Sequence, residues 1–343
     1  VYVYYLLVNT FGDIPYSNAL KSEILFPSYD DAQTVFYDLL SRLDADMAAL
    51  DVSAASFNGA DLIYNGDVAA WKKFAASLKL MMGMQLADSD PAKAKATVES
   101  AYAAAFTSNA DNASMVFLKA PPNTNPVWLN LVQSGRNDFV PASTIVDYLK
   151  QFSDPRLPYY FTTDADGGYS GGTPGDGNSF GDFSHVSDAQ QLPEAPFVIL
   201  DYAQVEFALA EAVERGMAVG STAADHYNKA ITASVELWGG NATQAAAYLA
   251  QPSVAYATAA GDYKQKIAAQ EYIGLYTRGF DAWVMIRRLD YPVLPAPVNA
   301  LSAFPVRFTY PILEQNINTS NYNSASAAIG GDAVTTKLFW DKY

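Results

Sequence analysis

Two stretches hold the side chains best suited to chemistry. In DADGGYSGGTPGDGNSFGDF (164–183), Asp164, Asp166, Asp176, Asn178 and Asp182 are hard oxygen donors that Ca²⁺ accepts. The opening DADG matches the first half of an EF-hand loop, but the glutamate that closes such a loop at its twelfth position is missing. A structural Ca²⁺ therefore stands as a minor alternative to a solvated, turn-rich loop. The Gly175-Asp176-Gly177 run fails as a phosphate cradle, because no third glycine or Walker lysine follows and the aspartates would repel phosphate. The second stretch, NADNASMVFLKAPPNTNPVWLNLVQSGRNDFV (109–140), sets Trp128 among Asn125, Arg136 and Asn137. With Tyr169, Phe180 and Phe183 of the first stretch, these are flat rings in polar surroundings. Such rings stack on the apolar face of a pyranose while Asn125, Arg136, Asn137 or Asn178 hydrogen-bond its hydroxyls. The competing reading is that each ring only pins its loop to the body.

Other constellations are poorer. His185 follows the glycine-rich loop and His226 lies on a helix; with no cysteine, two histidines make no zinc site. No GxSxG elbow is present. Glu206, Glu211 and Glu214 share one helix and could supply a carboxylate pair, yet their pattern is that of a solvated helix face. The expectation is that no catalytic set, metal or cofactor is needed, with glycosidase chemistry the weakest reading. Lys plus Arg number 21 against 36 Asp plus Glu, a net charge of −15. Such an acidic surface disfavours nucleic acid and anionic lipid and leaves neutral or cationic ligands open.

The elements that must hold these residues are helices. Val35, Leu39, Leu43, Met47 and Leu50 recur at helical spacing behind Asp30 and Asp31. Trp71, Phe74, Leu78, Met81 and Gln85 form a second stripe behind a cap at Asp67, with Met81, Met82 and Met84 as core filler. A third helix opens at Pro91 and runs to Phe106. FVILDYAQVEFALAEAVERG (197–216), STAADHYNKAITASVELWGG (221–240), DYKQKIAAQEYIGLYT (262–277) and FDAWVMIRRLD (280–290) read as further helices with Ala-rich faces suited to close hairpins. In the last, Arg287 and Arg288 are expected to pair with buried or helix-end carboxylates. Strand signals are confined to 114–120 and 306–312, and the segment from 313 onward reads as irregular and laid over the surface. The pairs resemble tetratricopeptide units of about 34 residues, with an irregular period. The expected fold is mainly α: a tetratricopeptide-like helical-pair scaffold in one domain over 1–343. A loop-rich, ligand-facing portion spans 109–197, with at most a small hairpin or sheet. The chain opens inside an apolar run, VYVYYLLV, so a processed or truncated piece of something longer is expected.

Five segments, in order, resemble the SusD/RagB family. They are Phe11-Gly12-Asp13-Ile14-Pro15-Tyr16 after the first helix, WKKFAASLKLMMGMQLAD (71–88), the run ending DPRLPYYF (154–161), GFDAWVMIRRLDYP (279–292) and VRFTYPILEQNIN (306–318). Met82 and Gln85 stand where basic residues are common in that family. The resemblance implies a non-catalytic, lipid-anchored protein exposed at the cell outer membrane. It would capture glycans for a SusC-type TonB-dependent transporter. In some members the ligand is a peptide, and a purely protein-binding adaptor is the alternative. It further implies that the lipidated cysteine and first helices, which supply part of the glycan surface, lie upstream of residue 1. On this reading the membrane is met only through that anchor.

Overall fold

The structure, a computed structural model, describes residues 1–343. Helices account for about 49% of the chain and the only sheet has two strands. The helices α1 (Tyr2–Phe11) and α2 (Ala32–Ala49) flank the Phe11–Tyr16 turn. α2 starts where its carboxylates predict, because Asp31 accepts the Thr34 N–H at 2.8 Å. α3 (Val68–Gln85) has Asp67 accepting from the Ala70 N–H at 3.0 Å, and α4 (Pro91–Ala101) opens on its proline. Single turns α5 (Pro126–Trp128) and α7 (Leu157–Tyr160) lie either side of α6 (Ser143–Gln151). Then come α8 (Tyr202–Glu214), α9 (Ala223–Leu237), α10 (Ala242–Leu249), α11 (Tyr263–Gly274) and α12 (Gly279–Leu289). The last two are α13 (Ile312–Ile317) and α14 (Thr319–Ala328).

The chain divides into two compact units. One holds Val1–Asp51, Met82–Thr97 and Leu301–Tyr343. Its core gathers Val8, Val35, Phe36, Leu39, Met82 and Trp340. Arg307 is fully buried there; it pairs with Asp332 at 2.6 Å and donates to the Phe11 carbonyl, while the Tyr310 hydroxyl donates to the Asp13 carbonyl. The RFTY run thus fastens the FGDIPY turn.

The other unit holds Val52–Met81 and Val98–Ala300. Its scaffold is the tetratricopeptide-like series of helical pairs from α8 to α12. Four helices open alike: Asp201, Thr222, Asn241 and Asp262 each accept the N–H of the residue three positions on, at 2.7–3.1 Å. Buried alanines, among them Ala210, Ala230 and Ala268, let the helices approach around Phe207, Ile231, Tyr248 and Ile267. The unit buries charge in pairs: Arg156–Asp154 at 2.6 Å, Arg278–Asp201 at 2.9 Å, and Arg288 on Glu211. Arg156 also donates to Ser234 and Gln270, so the Asp154-Pro155-Arg156 motif ties a loop to α9 and α11.

Several expectations are corrected. Phe197–Leu200 is the strand β2, paired antiparallel with β1 (Ala113–Met115), and the helix begins only at Tyr202. The 306–312 segment forms no strand, and the closing segment carries α13 and α14. The third helix stops at Ala101 and gives way to a 3₁₀ turn. Glu206 and Glu211 are not solvated: they are 5% and 0% exposed.

Candidate ligand-binding surface

Two long loops carry the sequence-based candidates, and the structure brings them together. Ser114 pairs with Val198 and Met115 with Phe197 across the β1–β2 ribbon. Beyond it, the Asn125 N–H donates to the Pro193 carbonyl at 2.8 Å. The Asn125 side-chain amide donates to the carbonyls of Gln190 and Leu192, at 2.7 and 3.0 Å. Its Oδ1 accepts the Val127 N–H and so caps α5. Every polar atom of Asn125 is engaged and the residue is buried. It is a joint between the loops rather than a group free to meet a sugar hydroxyl.

The glycine-rich loop is similarly built into the body. Gly172 exchanges backbone bonds with Pro141 and Ser143 at the start of α6, each at 2.8 Å. Gly175, at φ +82°, sits against a backbone neighbour, where an added Cβ would come within 2.5 Å of the Val298 carbonyl oxygen. Only glycine fits both demands. Asn178 closes a turn, accepting from the Thr173 N–H and donating to the Thr173 and Asp176 carbonyls. Asp164 accepts the N–H groups of Asp166 and Gly168, so its carboxylate caps the loop. No three acidic or histidine side chains gather as metal ligands.

The remaining candidates differ in exposure. Trp128 is half-buried on α5, followed by exposed Leu129 and Val132. Arg136 is exposed and ion-paired with Asp138. Asn137 is exposed. Phe180 stacks on His185 with centroids 3.7 Å apart and planes within 9°. The His185 Nε2 lies 2.7 Å from the Phe180 carbonyl oxygen, so this ring is an anchor for its loop. Phe183 is half-buried just after it.

Tyr169 shares its supporting core with other partly exposed rings. It packs against a small core of Val146, Leu149, Tyr160, Phe161 and Ile273, and Tyr159, Trp238 and Tyr276 lie on the same core. Tyr160 and Tyr276 stack at 4.3 Å, and Trp238 stands 4.6 Å from the Tyr160 ring and 5.3 Å from the Tyr276 ring. Tyr160 is buried, whereas Tyr159, Tyr169, Trp238 and Tyr276 keep part of their surface in water. Burial pushes the Tyr276 phenol upward, so it is uncharged at neutral pH. Sequence reasoning missed Tyr159, Trp238 and Tyr276 as site residues. The available signal was their placement at helix ends: Trp238 directly precedes Gly239 and Gly240, and an added Cβ on Gly239 (φ +100°) would press on Tyr159 at 3.3 Å.

The three candidate acids of α8 are each engaged by a neighbour. Glu206 is bonded to Nδ1 of His226 at 2.6 Å, and both are buried. Glu211 holds Arg215 and Arg288, and Glu214 accepts from the Tyr256 hydroxyl. A wider groove, about 640 Å³, runs along α9 past Asn109, Lys229, Thr232 and Glu236, but Tyr202 is its only aromatic wall.

Comparison with known proteins identifies the family and the fold. A family model for SusD-like proteins, described as starch-binding and associating with the outer membrane, matches residues 1–311. The chain belongs to the SusD-like family. Its fold superposes on a chitin-binding protein at 30% identity and TM-score 0.86, covering 100% of this chain and 79% of that one. A chitin-binding SusD homologue from Flavobacterium johnsoniae shares 25% identity at TM-score 0.86, over 98% of this chain and 78% of the other. A SusD homologue from Bacteroides uniformis shares 26% at TM-score 0.88, over 99% and 79%. No curated protein matches the chain. No helix of this SusD-like chain is long and apolar enough to cross a membrane.

Proposed function

We propose that this SusD-like chain is a non-catalytic glycan-binding protein of the outer membrane. It is lipid-anchored and surface-exposed, and passes oligosaccharide to a SusC-type TonB-dependent transporter. The observation that carries the reading is the aromatic island of Tyr159, Tyr169, Trp238 and Tyr276 beside two interlocked loops. Rings held by a packed core lose little freedom when a sugar stacks on them, so the surface is preorganised. The family description and the two chitin-binding relatives support a glycan as the ligand. Burial of Glu206 against His226 and of Glu211 against Arg215 and Arg288 supports binding without hydrolysis, because a general acid must reach the glycosidic oxygen. Trp128, Arg136 and Phe183 are retained as flanking contacts. Asn125, Asn178 and Phe180 act through the loops they hold. Affinity electrophoresis in a panel of polysaccharides, with reducing-end release measured in parallel, tests the proposal. Retardation by at least one glycan without release of reducing ends is expected. Co-purification with a β-barrel partner and no retardation by any glycan would instead favour a protein-binding adaptor.

A further inference from the structure

The turn joining α11 to α12 holds a residue that its backbone does not favour. The Arg278 N–H donates to the Leu275 carbonyl at 2.8 Å, which makes Thr277 the third residue of a tight four-residue turn. Thr277 has φ +69°, in the left-handed region that glycine enters freely and asparagine tolerates. Seven residues other than glycine have positive φ; four are Asn or Asp, and Thr277 alone is β-branched. A branched Cβ crowds the backbone in that region, so the native state is strained at this point. The neighbours explain the bend but not the residue. Tyr276 stacks on buried Tyr160 at 4.3 Å, and its N–H donates to the Ile273 carbonyl. Arg278 is buried and paired with Asp201 and Asp281, each at 2.9 Å. With both neighbours fixed, position 277 turns left-handed, a demand that glycine meets without strain. The threonine side chain is exposed and fills no core. It borders the same surface depression as Trp238 and Tyr276, two rings of the aromatic island.

We propose that Thr277 is a ligand contact, its hydroxyl hydrogen-bonding a hydroxyl of the saccharide held on the aromatic island. The proposal rests on the glycan-binding reading and adds a specific residue to its site. Strained backbone conformations cluster at ligand clamps, where the side chain they present is part of the function. A hydroxyl both donates and accepts, so it meets a sugar O–H in either sense. Its position is also well fixed, because the stacked Tyr276 and the ion-paired Arg278 hold the turn from both sides. A contact held in place before the ligand arrives loses little freedom on binding.

Three substitutions separate the hydroxyl from the backbone that carries it. The wild type is titrated calorimetrically with malto-, cello-, xylo- and chito-oligosaccharides, and each variant with the series that the wild type binds, well below its melting temperature. Thr277→Val keeps the branched Cβ and loses the hydroxyl; it is expected to bind about three- to ten-fold more weakly. Thr277→Ser keeps the hydroxyl and should retain the wild-type affinity. Thr277→Gly should melt about 1–3 °C higher, as the strain is released, and bind as weakly as Thr277→Val. Wild-type affinity in Thr277→Val and Thr277→Gly would mean that the residue only shapes the turn, and overturns the contact. Thr277→Ser binding as weakly as Thr277→Val overturns it too, since the hydroxyl would then not be the group recognised. A Thr277→Gly variant that melts no higher removes the strain on which the proposal stands. Failure of the wild type to bind any of the four series overturns the glycan reading itself.

Discussion

Glu271 on α11 is fully buried, and neither carboxyl oxygen has a hydrogen-bond partner. Burial dominates its titration and pushes the carboxyl up to about 8, against the opposing pull of Arg288 and Arg278 and with help from Glu211 and Asp201. Between its ordinary value of 4.5 and 8 the folded protein keeps a proton that the unfolded chain releases. The stability contributed is therefore full below the lower value and is lost as pH rises through the upper one. The melting temperature should fall between pH 5 and pH 9, and Glu271→Gln, neutral and of the same shape, should flatten that fall; an unaltered slope would contradict the assignment. The sequence shows only an acid on a helix at such a position. Glu211 pairs with Arg288, 77 residues away, so its burial depends on how helices meet, which periodicity does not record. The arginines of MIRRLD were more legible: Arg288 does pair with a buried acid, while the Arg287 guanidinium lies 3.5 Å over the Trp283 ring.

Among elements, the long helices were legible because period and cap agree: Asp31, Asp67, Pro91 and Thr222 all open helices where their residue types prefer to sit. β2 was hidden because Phe197–Leu200 is a short apolar run continuous with the stripe of α8, and such a run reads equally as strand or helix. Only its partner β1, far away in sequence, decides the matter. The two loops were recognisable as long and aromatic, but their junction at Asn125 was not, since a single asparagine carries no record of the carbonyls it will meet. Asn125→Ala would leave the Gln190 and Leu192 carbonyls and the Val127 N–H without this partner, at a cost of about 1–3 kcal/mol. Faster amide exchange is expected over 118–133 and 187–195, with the α8–α12 core still protected. Unchanged exchange in both loops would show that they are joined by other means. In the glycine-rich loop, Gly175 and Asn178 brace the turns, a role that composition alone does not separate from ligand binding.

For the whole molecule, a charge of −15 leaves neutral or cationic ligands open, and partly exposed rings on one small core suit a ligand held by stacking and hydrogen bonds. Fold class and family were readable from five ordered segments. The aromatic island was not, because it is assembled from a loop, a helix end and a turn that lie far apart in the chain. The central claim is that this island binds glycan without cleaving it. The most direct test is calorimetric titration of an oligosaccharide panel into the wild type and Tyr169→Ala, with product analysis of each mixture. The account predicts saturable binding of at least one intact oligosaccharide, weakened about ten-fold, or about 1.4 kcal/mol, by the substitution under conditions where the variant is fully folded. Shortened oligosaccharides in the mixture, or full affinity retained by Tyr169→Ala, would contradict it.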